Sequence, residues 1–312
     1  MLLRLGYISN NIFQHLHKRK LSTWRNLSKT PTISIHPQII PSKTCQQIIQ
    51  AVRPTFNKYF DTADEKSADE KYHSLPFFKC GNEAIDILTK SGILDLATNA
   101  TNIPYRAGED IMIARTIGTD TENVKNDGFN RTFISMHHDR NNTGDEGRVR
   151  TFMIYLTTIA DESGGETYFP AMNTDIATDD IAQRLKSKYE AGIRVLPLDS
   201  DLSVACEERL ELWRESRRKK RKNLDMDIDL DFDVDSGGDG DTGNEDTMDN
   251  GLVVGGGAVC KEGTALMFDA GGEGGAYGSW HSSCCVKSAE EKWIITFFKS
   301  PAPRWSSSMM GL

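Results

Sequence analysis

A β-sandwich or jelly roll, supported on its N-terminal side by helices, is the fold class this sequence predicts. Three observations predict it. Segments with helical periodicity come first, between residues 42 and 96. After Pro104 come short segments rich in β-branched and aromatic residues, separated by Gly and Asn/Asp clusters. That strand rhythm then stops between Pro170 and Gly263, where helical and acidic sequence intervenes. Helices followed by a run of strands suit a layered mainly β domain.

The elements follow in order. Pro41-Ser42 opens an apolar-periodic stretch with Cys45, Ile48, Ile49 and Val52 on one face, a helix reaching about Phe60 with Ser42 as its expected cap. Asn82 to Leu96 reads as a second helical region, broken near Gly92. The expected strands are Asp110–Thr116, Phe133–His137, Arg150–Leu156, Glu166–Phe169, Gly263–Asp269, Ser279–Val286 and Lys292–Lys299. Asp180–Ala191 and Val204–Arg218 are expected helices. Beyond the basic run Arg217–Lys222, residues 224–251 are acidic, rich in Gly and expected to be flexible.

Composition narrows the classes. The chain has 312 residues, 38% of them hydrophobic, with 26 Gly, which is ordinary globular usage and excludes a wholly disordered chain. No apolar run approaches a membrane-spanning length. The net charge of −8 is uneven. Residues 1–31 hold six Lys/Arg and no acid, and residues 225–250 hold eleven Asp/Glu and no base, so the remainder carries −3. That remainder has no basic footprint for nucleic acid, and none is expected as a partner. The six cysteines show no metal-cage spacing and read as free thiols. The acid-free leader suits a mitochondrial or other organelle transit peptide, with a cytoplasmic address otherwise and the endoplasmic reticulum less favoured.

The chemistry sits in Phe133-Ile-Ser-Met-His137-His138-Asp139. Residues two apart on a strand share a face, so His137 and Asp139 can reach one metal while His138 points away. An imidazole and a carboxylate are two thirds of a facial triad, which leaves open positions on Fe(II). His281, in Gly278-Ser-Trp-His-Ser-Ser-Cys-Cys-Val286, is the candidate third ligand.

Several motifs carry a resemblance. The segment RVRTFMIYLTTIADESGGETYFP (148–170), the strand Gly263-Thr-Ala-Leu-Met-Phe268, the close His281…Cys284…Val286…Lys292-Trp293 and the entry IHPQIIPSKTCQQII (35–49) resemble prolyl 4-hydroxylases. Those are Fe(II)- and 2-oxoglutarate-dependent dioxygenases. The resemblance spans about 33–300 outside the interruption. It implies a double-stranded β-helix, Fe(II) on His137, Asp139 and His281, 2-oxoglutarate as cosubstrate with O2, and L-ascorbate as rescuer of oxidised iron. It implies no catalytic side chain beyond the metal ligands. Lys292 would pair with the far carboxylate of 2-oxoglutarate, and Thr167 and Tyr155 would add hydroxyl contacts. A peptide or protein substrate, most naturally a prolyl residue, follows from the resemblance alone.

Three departures stand out. A Tyr usual three residues before the first His is Ile134 here. The step from His281 to Lys292 is eleven residues, one more than usual, which calls for a β-bulge or would turn Lys292 to the wrong face and favour Lys287. The polar stretch Gly118–Arg131 is long and is a candidate substrate loop. The other classes open to this sequence are a nucleic-acid or small-molecule 2-oxoglutarate oxygenase and a non-catalytic module on the same fold.

The expected organisation is a basic leader over 1–31, helical support over 32–110 and the jelly roll over 111–300. An insertion of about 171–255 interrupts it, and 301–312 form a tail. About 199–250 is expected to be removable without loss of iron binding.

Overall fold

The computed structural model describes residues 24–29, 31–60, 72–105, 110–118, 135–140, 148–223, 255–270, 279–287 and 290–300. The leader up to 23, most of the 118–131 loop, Ile134, the acidic stretch 224–251 and the tail lie outside the described residues.

Seven antiparallel strands form the major sheet. They are β1 (Arg25–Lys29), β2 (Thr32–His36), β3 (Tyr72–Pro76), β4 (Asp110–Ile117), β6 (Arg150–Tyr155), β10 (Ala265–Asp269) and β12 (Glu291–Lys299), in the order β1-β2-β10-β6-β12-β4-β3. Both faces are buried, and the period-two alternation of the sequence sorts side chains between them. Phe152, Ile154, Trp293, Ile295 and Phe297 face one way, onto three helices. Met153, Tyr155, Leu266, Phe268 and Ile294 face the other way, onto the minor sheets.

The three helices are α1 (Ser42–Phe60), α2 (Asn82–Lys90) and α3 (Ile93–Thr101). The expected face of α1, Cys45, Ile48, Ile49 and Val52, is the buried one, and Phe56 extends it. Ser42 is the first helical residue rather than the cap. The Pro41 carbonyl accepts from the Thr44 and Cys45 amides at 2.9 and 3.2 Å. Gly92, at φ 76°, makes the left-handed turn that separates α2 from α3.

The minor layer is built from fragments. Strands β7 (Thr167–Phe169), β9 (Gly256–Ala258) and β11 (Ser282–Ser283) form one sheet in the order β11-β7-β9. Strands β5 (Met136–His137) and β8 (Val195–Leu196) pair as another. A bridge between His137 and His281 joins the two sheets. The outer face of this layer is covered by α4 (Asp180–Glu190) and α5 (Asp201–Asn223), through Met136, Tyr168, Leu185, Leu202, Cys206, Leu210, Trp213, Trp280 and Cys284. The result is four layers: helices, major sheet, minor sheets, helices. Among the described residues no helix is long and apolar enough to cross a membrane.

Two expectations need correction. The folded chain begins at least by Arg25, within the residues read as a leader, because β1 and β2 add to the major sheet beside β10. β3 joins that sheet too, so the stretch read as helical support supplies strands as well. The second correction concerns the segment after Pro170. It is not a dispensable loop, because α4, β8 and α5 form the only wall behind the minor sheets among the described residues. Removing 199–250 would strip Leu202, Cys206, Leu210 and Trp213 from that core. The local anchors are polar as well: Asp179 caps α4 through the Ala182 amide at 2.8 Å and pairs with Arg209 of α5 at 2.8 Å.

Candidate metal centre

Strand alternation places the three predicted ligands together. His137 and Asp139 face the interior, and His281 meets them across the bridge, where His137 N–H donates to the His281 carbonyl at 2.9 Å and His281 N–H to the His137 carbonyl at 2.8 Å. One ligand atom from each of the three lies within 4.8 Å of the others. His137 Nε2 is 3.6 Å from Asp139 Oδ1, and His281 Nε2 is 3.7 Å from Asp139 Oδ2. Two imidazole nitrogens and one carboxylate converging on a single point suit a divalent transition metal with open positions.

The surroundings orient each donor. His281 Nδ1 donates to the Ser279 carbonyl at 2.9 Å, which leaves the Nε2 lone pair inward. His137 Nδ1 sits 3.1 Å from Ser135 Oγ. Thr151 Oγ1 donates to Asp139 Oδ2 at 2.7 Å. Phe268 and Phe169 pack against the His281 ring at centroid distances of 4.6 and 5.6 Å. His281 and Asp139 are buried, whereas the His137 side chain is 31% exposed, so the cluster opens to solvent on that side.

The electrostatics favour the metal-binding protonation state. Burial, then the facing His281, bring His137 down to about 4, so its imidazole is neutral at physiological pH. Burial would raise the Asp139 carboxyl, but the two imidazoles and the Thr151 hydroxyl outweigh it and hold Asp139 below the usual carboxylate range. A neutral imidazole and an ionised carboxylate are the forms a metal requires.

Lys292 lies on the face of β12 that carries Ile294, toward the minor sheets. Its pairing to β4 runs without a register shift, so the extra residue before it is not absorbed as a bulge within the strand. Lys292 is 1% exposed, and its Nζ donates to Ser283 Oγ at 2.8 Å and lies 5.6 Å from the Tyr155 ring centroid. Burial lowers its pKa, and no carboxylate forms an ion pair with it among the described residues. Tyr155 and Thr167 are also buried here, the Tyr155 hydroxyl donating to Thr167 Oγ1 at 2.7 Å. Lys287, the alternative lysine, is exposed.

Sequence reasoning missed the supporting residues Ser135, Thr151, Ser279 and Ser283. A signal for two of them was present, since a serine precedes each histidine ligand by two residues and so shares its face. The remaining two come from other strands, and only the fold brings them in.

Fold and site together define a mainly β, antiparallel protein with a His–Asp–His candidate metal centre between its sheets. No protein-family profile and no curated protein matches the chain. Among solved structures it is similar to a viral collagen prolyl hydroxylase of Paramecium bursaria Chlorella virus-1 in complex with 2-oxoglutarate. That match has 14% identity and TM-score 0.43, and covers 87% of this chain and 96% of that one. It is also similar to a prolyl hydroxylase of Trichoplax adhaerens in complex with a hypoxia-inducible-factor peptide, at 12% identity and TM-score 0.42, covering 95% and 93%. A third similarity is to the α-ketoglutarate-dependent carbocyclase SnoK from nogalamycin biosynthesis, at 11% identity and TM-score 0.46, covering 88% and 80%.

Proposed function

We propose that this chain is an Fe(II)- and 2-oxoglutarate-dependent dioxygenase that hydroxylates a C–H bond, with a prolyl residue of a peptide or protein as its substrate. The observation that carries the reading is the convergence of His137, Asp139 and His281 within 4.8 Å on an inner face that is open beside His137. Iron with 2-oxoglutarate supplies the O2 activation and C–H hydroxylation. The chain's part is to hold, orient and shield. His137, Asp139 and His281 would hold the iron, each through one donor atom. Ser279, Ser135 and Thr151 fix the donor orientations. Lys292, a buried ammonium hydrogen-bonded to the Ser283 hydroxyl and without an ion-pair partner among the described residues, offers its charge to an incoming carboxylate, with Ser283, Thr167 and Tyr155 as neighbouring hydroxyls. A lysine is a compact charge on a long stem and suits end-on capture of one carboxylate. L-Ascorbate belongs to the proposal as the reductant of oxidised iron, and the acid-free leader supports an organelle address.

The test is succinate release by the purified chain, with Fe(II) and 2-oxoglutarate, followed by mass spectrometry of a peptide library. Iron-dependent succinate with a +16 Da mass gain on prolyl peptides supports the proposal. Turnover that persists in His281→Ala, or tight metal binding without any succinate, sinks it. The second outcome favours a non-catalytic module.

A further inference from the structure

Each strand segment that carries a ligand also carries, one residue away, a ring on the opposite face. His138 stands between His137 and Asp139, and Trp280 precedes His281. Both are buried, at 1% and 0% exposure. On the outer face of the minor layer these two rings meet edge to face, with centroids 4.9 Å apart and planes at 88°. Tyr189 closes against His138 at 4.8 Å. Each ring then donates to the same covering segment. Trp280 Nε1 donates to the Leu185 carbonyl at 3.0 Å, and His138 Nε2 lies 2.9 Å from the Ile193 carbonyl.

We infer that His138 and Trp280 are positioning residues, a two-ring clamp that sets the distance between His137/Asp139 and His281 by fastening both ligand segments to the α4–β8 segment. The proposal rests on the metal-centre reading above. Three observations lead to it. The ligand segments are short, and among the described residues the main-chain bonds joining one to the other are the two of the 137–281 bridge, while each is otherwise held by its own neighbour, the first by β8 and the second by β7, so the bridge is the hinge between them and their relative angle depends on how those neighbours are tied together. The clamp lies on the far side of that hinge from the ligand atoms, where restraint acts on their separation. Finally, His138 keeps a buried Nδ1 with no hydrogen-bond partner among the described residues. An unpaired buried nitrogen is unfavourable, so plain packing would be served better by an apolar ring. What the imidazole adds is the Nε2 bond to Ile193.

The test uses the metal-free full chain titrated with Co(II), reading affinity and the visible ligand-field spectrum. Residues that orient metal ligands typically change affinity by about 10–100-fold when replaced. His138→Phe keeps a ring and removes the donor, and Trp280→Phe does the same at the other end. Both should weaken Co(II) by about 10–100-fold and shift the spectrum. His138→Gln, whose amide can reach the Ile193 carbonyl, should recover much of the affinity. A core variant remote from the site, Phe56→Leu, provides the control for stability. Wild-type affinity and spectrum in both His138→Phe and Trp280→Phe would overturn the clamp. So would an equal loss in Phe56→Leu at a matched fall in melting temperature. Should His138→Phe fail to fold, Trp280→Phe and His138→Gln carry the same comparison. Absence of stoichiometric Co(II) in the wild type, or its retention in His281→Ala, would instead remove the metal centre itself.

Discussion

The two sheets of this protein hold themselves together by different means. Strands of five to nine residues build the major sheet, and its three central partners β6, β12 and β10 pair along their lengths. It has helices on one face and apolar side chains on both. The minor layer has strands of two and three residues. Fragments that short gain little from main-chain pairing, and their geometry comes from what is packed on them. The candidate metal ligands lie on this weaker layer, at the open end of it. The protein thus separates a self-supporting slab from a site whose shape is imposed by α4 and α5.

The largest test of that contrast is deletion. Removing 199–250 should collapse the minor layer, with loss of Co(II) binding and of near-ultraviolet dichroism from Trp213 and Trp280, since it removes most of the apolar cover of α5. Removing only 225–249 should leave both intact, because long connections add little closure entropy. A deletion of 199–250 that still binds metal would show the minor layer to be self-sufficient.

Next in size is Lys292. Leaving one partner of a buried charge pair uncompensated costs about 3–5 kcal/mol. Lys292→Ala should therefore raise the 2-oxoglutarate requirement by roughly two to three orders of magnitude, with Co(II) affinity unchanged. Lys292→Arg should recover only part of this, and Lys287→Ala should change nothing. Titration of 2-oxoglutarate against succinate release reads all three.

The third concerns the bond between α5 and the minor layer. Arg214 meets the buried Glu166 through Nε at 3.1 Å and Nη2 at 2.8 Å. Glu166 in turn holds the Cys284 amide through its carbonyl at 2.8 Å. Arg214→Ala should cost about 3–5 kcal/mol in urea unfolding at neutral pH. Burial alone would raise the Glu166 carboxyl, but its bonds to Arg214 hold it below the model-peptide value. A depressed carboxylate stabilises the fold above its unfolded pKa and loses that contribution as pH falls through the folded value. Without Arg214 the two largest effects opposing burial are gone, leaving a backbone hydrogen bond and the more distant Arg217, so Glu166 protonates at a higher pH than in the wild type. The gap between variant and wild type should therefore shrink on acidification, starting as pH falls through the variant's Glu166 pKa and ending as it falls through the depressed wild-type one. A gap independent of pH would mean that the pair is not what ties α5 down.

The smallest effect falls in the slab. Ile48→Val in α1 removes one methylene from a fully buried site and should cost about 0.5–1.5 kcal/mol, with Co(II) affinity untouched. Any change in metal binding there would couple the two halves.

Local pattern made much of this readable. The apolar face of α1 and the break at Gly92 follow from spacing, and the strand Arg150–Tyr155 from its β-branched and aromatic content. The side on which His137 and Asp139 lie follows from spacing too. The seven strands expected after Pro104 exist, although Phe133–His137 is described as a strand only at Met136–His137 and Ser279–Val286 only at Ser282–Ser283. β1, β2 and β3 were not legible, because Thr32–His36 and Tyr72–Pro76 become strands by adding to edges supplied by residues far along the chain, and Arg25–Lys29 becomes one by pairing with Thr32–His36.

By itself the sequence determined which residues can share a face, since that depends only on a period of two or 3.6 and on the chain's own side chains. It therefore determined the candidate ligand pair and the helix faces. Only the tertiary structure decided which distant segments meet. It brought His281 to His137, turned Lys292 inward beside Ser283 despite the extra residue, and made α4 and α5 the wall of the site. Those outcomes depend on the packing of nonlocal surfaces, and no local period encodes which surface another will find.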